Sequence, residues 1–487
     1  MKAFFLVAVS MVLCSAARAD EAQSVTQYGI TWTFDKPYIV GKFVTGDYWV
    51  VGPVTITSVS PAPGPSTAAA NGVVKSRYGA TALVDDSRMR NGSMIVQKAD
   101  GRQGFDSRAT NYDPSMTVAY PCTLQPNQSL VSTISNDVFP VDVLDLAIAF
   151  TAERRAALCL NSAAILTCLD KAPPDDAFRP PYAGSDKPIY ETKNLHWDIL
   201  PKLAPAGTVP SWEEFERDFQ RPWLDNINVW LYQMTMPSQN QPVYGREWNR
   251  ITAMASLMLM LDVPQEQKQK VMIGMVQLGI DEAALAKLGD NWPGDGAHWG
   301  GRKWPILFAG LMLGDKDLQT VPPNTIFEED QQTYYGKGYA GQPVLYQMVF
   351  HTGPHPPYEE KDPTTWNPGD KKGEGYRAVG SRAWPGIALA AELMKAKALW
   401  NHDAFFDYCD RIMAKDDAYA ANRGTTPRPA WEGSTYDPFV DAMWAEYRSK
   451  VPDQPGGTTN VKWVWAGNVG SYQPNSKGDS SASAPSP

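Results

Sequence analysis

The hydrophobic repeat of this chain changes period once, at Pro210-Ser211, and that change limits the possible folds more than any other feature. Upstream, Tyr28, Ile30, Trp32 and Phe34 alternate with Gly29, Thr31 and Thr33, the period of two expected for a half-buried strand. Trp49-Val50-Val51 and Val54-Thr55-Ile56-Thr57 continue the pattern. Gly46-Asp47, Asn91-Gly92, Asp100-Gly101 and Pro126-Asn127 mark turns. Short strands between such turns predict an antiparallel β-sandwich over residues 20–170. Downstream the apolar spacing is helical. Ser211-Trp-Glu-Glu214 has the form of a capping box. Helices are expected at about 211–234, 246–261, 264–279, 281–288, 302–313, 385–399, 402–414 and 437–449. Asp281 and Asp437 stand at N-cap positions, the latter followed by Pro438. Between the two halves, residues 171–210 carry Pro173-Pro174, Pro180-Pro181, Pro201, Pro205 and Pro210, and read as an extended connection.

Residues 1–19 read as a secretory signal: Lys2, then the apolar run Phe4 to Leu13, then Ala17-Arg18-Ala19 at the cleavage site. The run is too short to span a bilayer, and no later stretch is long enough. The expected location is therefore periplasmic or extracellular. The roughly 465 residues left suit two or three domains. Loss of Lys2 and Arg18 takes the net charge from −9 to −11, which excludes a general affinity for nucleic acid. Export permits disulfides. Cys159 and Cys168 could close a hairpin, although unpaired buried thiols are the expected state of Cys122, Cys159, Cys168 and Cys409. Residues 451–487 form a C-terminal extension whose Ser-, Pro-, Gly- and Ala-rich end is expected to be disordered from about 468.

The segment Asp295-Gly-Ala-His298-Trp-Gly-Gly-Arg302-Lys303 is the best candidate for chemistry. It places an imidazole and two cations in a Gly-rich turn ahead of an apolar helix, where backbone can approach a ligand and a helix N-terminus favours an anion. Tyr244, Arg246 and Asn249 open another helix and can hold a carboxylate. The stretch 320–384 reads as a long aromatic loop, a common carrier of function. It contains Tyr334-Tyr335 and Tyr339, the rigid loop His351-Thr-Gly-Pro-His355-Pro-Pro-Tyr358, and Tyr376-Arg377. Ser381-Arg382-Ala-Trp384 then leads into a further helix, which His402 follows. His351 and His355 have the spacing of a zinc pair, but Gly353-Pro354 forbids the helix that would align them, so no metal is expected. P-loop, Rossmann, nucleophile-elbow and zincin motifs are absent, and no cofactor is expected. The aromatic content of 11% suits either stacking of sugar rings or core filling.

In residue types and order, with a β region followed by a helical region over roughly 211–450, the chain resembles the polysaccharide lyases built on an (α/α) toroid, the alginate, glucuronan and heparinase-type lyases. In this chain Ala297 rather than Asn precedes the histidine. The resemblance implies a helical toroid, an acidic polysaccharide as substrate, and β-elimination at a uronate. A cation such as Arg302 or Arg377 neutralises the carboxylate. His298 or His355 assists removal of the neighbouring proton, and Tyr376 or Tyr358 protonates the departing oxygen. Tyr244, Arg246, Asn249, Lys303, Tyr335, Trp384 and His402 are then expected to bind the sugar. Two rival readings remain: a toroid glycoside hydrolase using two carboxylates from Asp295, Glu359 and Glu374, or a non-catalytic carbohydrate-binding or envelope protein.

Overall fold

The computed structural model describes residues 20–65, 73–75, 81–83, 89–107, 109, 111–136, 159–227, 236–241, 245–349, 357–414, 433–457, 462–466 and 471–474. The signal-like residues 1–19 lie outside them, as do Tyr244, His351 and His355. The architecture is mixed: a curled sheet in the N-terminal part and helices in the C-terminal part. Strands run in chain order as β1 (Asp20–Gln27), β2 (Ile30–Lys42), β3 (Tyr48–Val51), β4 (Val54–Ser60), the small hairpin β5 (Val73–Lys75) and β6 (Thr81–Leu83), β7 (Ser93–Met94), β8 (Cys122–Leu124), β9 (Gln128–Ser135) and β10 (Leu160–Leu169). Eight of them form one sheet in the order β7-β9-β10-β3-β2-β4-β8, with β1 paired to β2. Its pairings are antiparallel except β3 with β10, which is parallel. The sheet is therefore mixed, where an antiparallel one was expected.

The alternation of Ile30, Trp32 and Phe34 with threonines does what its period requires: the three apolar side chains are buried and Thr31 and Thr33 are half-exposed. The chain β10, by contrast, is buried along nearly its whole length. One face, with Ala164, Leu166 and Cys168, joins the core of the sheet. The other, with Ala163 and Ile165, packs into the helical core beside Phe178, Trp223 and Trp248. The sheet and the helices thus share a packed boundary. Cys159 and Cys168 bracket this one extended strand, so they stand about 30 Å apart and cannot pair; all four cysteines are free thiols.

Helices follow as α1 (Trp212–Asp218), α2 (Gly245–Leu259), α3 (Gln265–Lys287), α4 (Lys303–Leu313), α5 (Glu328–Gln332), α6 (Pro368–Gly380), α7 (Pro385–Leu393), α8 (Lys397–Trp400), α9 (Asp403–Met413) and α10 (Pro438–Tyr447). A hairpin of β11 (Thr333–Tyr335) and β12 (Val344–Tyr346) interrupts them. A second pair, β13 (Trp463–Ala466) and β14 (Ser471–Pro474), places a strand inside the tail expected to be disordered. Ser211 caps α1 by accepting from Glu214 N, but the helix stops at Asp218, well short of 234, with Pro222 just beyond. The two helices expected at 264–279 and 281–288 are one. Gly279 does not break α3: a Cβ there would lie 2.1 Å from Pro305 O, so the missing side chain is what lets α4 pack against it. Asp281 consequently sits in mid-helix, buried, on Arg179. Asp437 does precede α10, but its carboxylate goes to Arg250 rather than to the helix end. The expected helix 385–399 is broken at Lys395, which adopts φ 58°. Most unlike expectation, the supposed loop 320–384 contains α5, the β11–β12 hairpin and the whole of α6.

The Pro-rich connection is anchored by Arg179. Its guanidinium reaches Asp47 of the sheet at 2.7 Å and Asp281 of α3 at 2.5 and 3.0 Å. No helix among the described residues is long and apolar enough to cross a membrane.

Candidate active site

The turn 295–302 is shaped by backbone conformations that side chains disfavour. Gly296 and Ala297 are both left-handed, at φ 64° and 73°, and Gly301 lies at φ 89°. A non-glycine residue held there is strained, and such residues concentrate at functional sites. The glycines do allow close approach, but the approaching group is protein. A Cβ on Gly245 would fall 1.8 Å from His298 O, and one on Gly301 would fall 2.7 Å from Asn249 Cα. At these two glycines the start of α2 packs directly against the backbone of the turn.

Both cations of the turn are already engaged. Arg302 is fully buried on an equally buried Asp225, with Nε at 2.8 Å from Oδ2, and its guanidinium lies 3.6 Å from the centre of the Trp248 ring. Lys303 pairs with Asp330 at 2.5 Å and lies over the rings of Trp400 and Phe327. Their roles in the structure are thus core ion pairs.

His298 is 2% exposed. Burial, and then the charges of Arg302 and Arg246, push its imidazole down to about 3, so it is neutral at physiological pH. Arg246 belongs to a cationic group built around Tyr436, whose ring meets the guanidiniums of Arg382 at 4.2 Å, Arg246 at 4.5 Å and Arg250 at 5.3 Å. Glu247 pairs with Arg246 and Arg250, and Asp437 pairs with Arg250. Arg382 donates to Thr435 O, its Nε is buried without a hydrogen-bond partner, and it has no carboxylate partner among the described residues.

The helix α6 brings the phenol. Tyr376 and Gly380, one turn apart, face the His298 turn, and Gly380 touches Ala297. Tyr376 is half-buried, and burial together with the Asp295 charge raises its pKa, which keeps the phenol protonated. The first residue of α5, Glu328, accepts from Trp299 N at 2.6 Å. Burial, then Glu329 and Asp295, push its carboxyl up to about 8. A neutral imidazole, a neutral carboxylic acid and a phenol thus gather around one strained turn.

Of the residues singled out from the sequence, His298, Arg246 and Tyr376 come together there. Asp295 and Arg382 were visible as neighbours of those motifs; Glu328 carried no signal beyond the acidic run Glu328-Glu329-Asp330. Asn249 and Trp384 pack beneath the turn, with a Cβ on Gly300 falling 2.9 Å from Asn249 Nδ2 and 3.4 Å from Trp384 Nε1. Other candidates lie in a second network along α6. Arg377 makes two 2.8 Å bonds to Glu374, and Tyr358 donates to the same carboxylate at 3.0 Å. Glu359 pairs there with Arg411. Tyr335 donates to Asp407, and His402 Nε2 lies 2.9 Å from Thr333 O, tying α9 to the β11 hairpin. Tyr244 and His355 fall outside the described residues. The tryptophans mostly serve the core: Trp32, Trp248, Trp292, Trp304, Trp384 and Trp400 are fully buried.

No family model, curated protein or solved structure matches this chain.

Proposed function

We propose that the protein is a secreted polysaccharide lyase acting on a uronate-containing glycan of the alginate or glucuronan kind. In this reading the sheet closes as a sandwich and the helices form a toroid around the site. The observation that supports it is a histidine held neutral with the guanidinium of Arg246 near enough to help depress it. β-Elimination needs that pairing. Arg382, with Arg246, takes the C6 carboxylate and so acidifies the C5 proton. His298 removes the proton, the C4–C5 double bond forms, and the C4–O4 bond breaks. Tyr376, kept protonated by its surroundings, gives its proton to O4. An imidazole this far depressed is a weak base in the free protein. A bound carboxylate offsets the Arg246 charge that helps depress it, so substrate itself restores part of the basicity.

A second reading has its own support. The carboxyl of Glu328, raised in part by Asp295, is a protonated acid beside a second carboxyl group, the pairing that glycoside hydrolases use. Incubation with alginate, glucuronan and neutral glycans separates the two. A lyase releases products with an ultraviolet-absorbing unsaturated uronate, and Arg382→Ala and His298→Ala abolish that signal. New reducing ends without absorbance would favour the hydrolase, and neither signal on any glycan would leave a binding protein.

A further inference from the structure

Lys303 opens α4 and Asp330 lies in α5, 27 residues further along, and the two side chains meet at a largely buried contact. We infer that this pair is a covalent modification site, at which Lys303 Nζ and Asp330 Cγ condense into an intramolecular isopeptide bond that ties α4 to α5. Three observations support this. First, the reacting groups are already held together and shielded. Lys303 Nζ lies 2.5 Å from Asp330 Oδ2, and it sits 5.1 Å from the centre of the Trp400 ring and 5.5 Å from that of Phe327. The Lys303 side chain is 8% exposed, whereas Lys193, Lys270, Lys361, Lys397, Lys450 and Lys462, which also meet carboxylates, keep 18% or more. A desolvated lysine favours the neutral amine, which is the nucleophile. Contact of this kind makes the condensation effectively unimolecular.

Second, the two oxygens of Asp330 have different partners. Trp400 Nε1 donates to Oδ1 at 2.8 Å, and Lys303 holds Oδ2. The indole N–H therefore stabilises negative charge as it develops on Oδ1, which stays as the amide carbonyl, while Oδ2 departs.

Third, a proton carrier adjoins the pair. Glu329 is fully buried, and neither of its carboxyl oxygens holds a hydrogen bond of normal geometry. Burial, then the Asp330 charge, push its carboxyl up to about 7, with Lys303 acting in the opposite sense. It can thus give and take a proton near neutral pH. One proton passes from the ammonium to the Asp330 carboxylate, which removes two charges from a poorly solvated contact. Nζ then attacks Cγ. Glu329 takes a proton from the nitrogen and gives one to Oδ2, the Cγ–Oδ2 bond breaks, and water leaves. An ammonium and a carboxylate become one amide and one water, and no oxidant or activating reagent is consumed.

This inference stands apart from the proposed lyase activity. Mass spectrometry of the full chain under denaturing conditions tests it. The purified protein should be lighter than its sequence requires by the mass of one water. Trypsin should fail to cut after Lys303 and should release a branched peptide joining residues 303–316 to residues 317–337. Lys303→Arg keeps the cation but has no primary amine; it should show the full mass and a lower melting temperature, because the closed loop is lost. Glu329→Gln should leave most of the chain unlinked. A wild-type chain of full mass that trypsin cuts after Lys303, a link between any other pair of residues, or a Glu329→Gln chain linked as completely as wild type would each overturn the inference.

Discussion

Glu328→Gln replaces one oxygen of a fully buried carboxyl with nitrogen, and its effect on stability should depend on pH. In an unfolded chain the group ionises near its ordinary 4.5; in the folded protein it ionises near about 8. Between those values the unfolded state has released a proton that the folded state keeps. The contribution of Glu328 is thus fully present below 4.5 and is lost as pH rises towards 8. The slope is about 1.4 kcal/mol per pH unit, which amounts to roughly 3 kcal/mol by pH 7 and roughly 5 kcal/mol by pH 8. Glutamine has no proton to lose and can still accept from Trp299 N. The difference in unfolding free energy between variant and wild type should therefore move in favour of the variant by about 3 kcal/mol from pH 4.5 to pH 7. The histidine contributes an opposite slope, lost as pH falls from 6.5 towards 3, but it is present in both proteins and drops out of the difference. Urea unfolding followed by tryptophan fluorescence at pH 4.5, 6, 7 and 8 measures the quantity. Parallel stability curves would refute the assignment of a neutral, buried Glu328.

Three further outcomes are expected. With the imidazole of His298 neutral down to about 3, kcat/KM on a uronate polymer should show no loss near pH 6.5, and a titration with that midpoint would contradict the environment described. Gly279→Ala puts a methyl 2.1 Å from Pro305 O and 2.6 Å from Ala309 Cβ; overpacking of about 1–3 kcal/mol should outweigh the gain of about 1 kcal/mol in helix propensity, so a raised melting temperature would count against a tight α3–α4 contact. Arg179→Met leaves Asp47 and Asp281 buried without their cation and should destabilise by about 3–5 kcal/mol. Adding Asp281→Asn should recover part of that loss in chemical denaturation, and simple additivity of the two would show that they do not interact.

What the chain determined without its tertiary structure is local. The alternation around Trp32, the cap at Ser211, the positions of α2, α4, α9 and α10, and the oddity of the His298 turn all follow from neighbours in sequence. The helix α6 was hidden because Gly369, Gly373, Gly375 and Gly380 give it poor intrinsic propensity. Only the Asn367–Asp370 capping box and the packing of Gly373 on Tyr358 and Gly380 on Ala297 make it a helix. The charges show the same division. Arg302 and Arg382 look alike in sequence, each beside glycines and a tryptophan at a helix start. Arg302 is neutralised by Asp225, 77 residues away, and Arg382 meets no carboxylate among the described residues. Periodicity and caps act between residues a few positions apart, so they can be read in order along the chain. Which carboxylate neutralises which cation depends on side chains brought together by folding, and that was decided only when the helices packed.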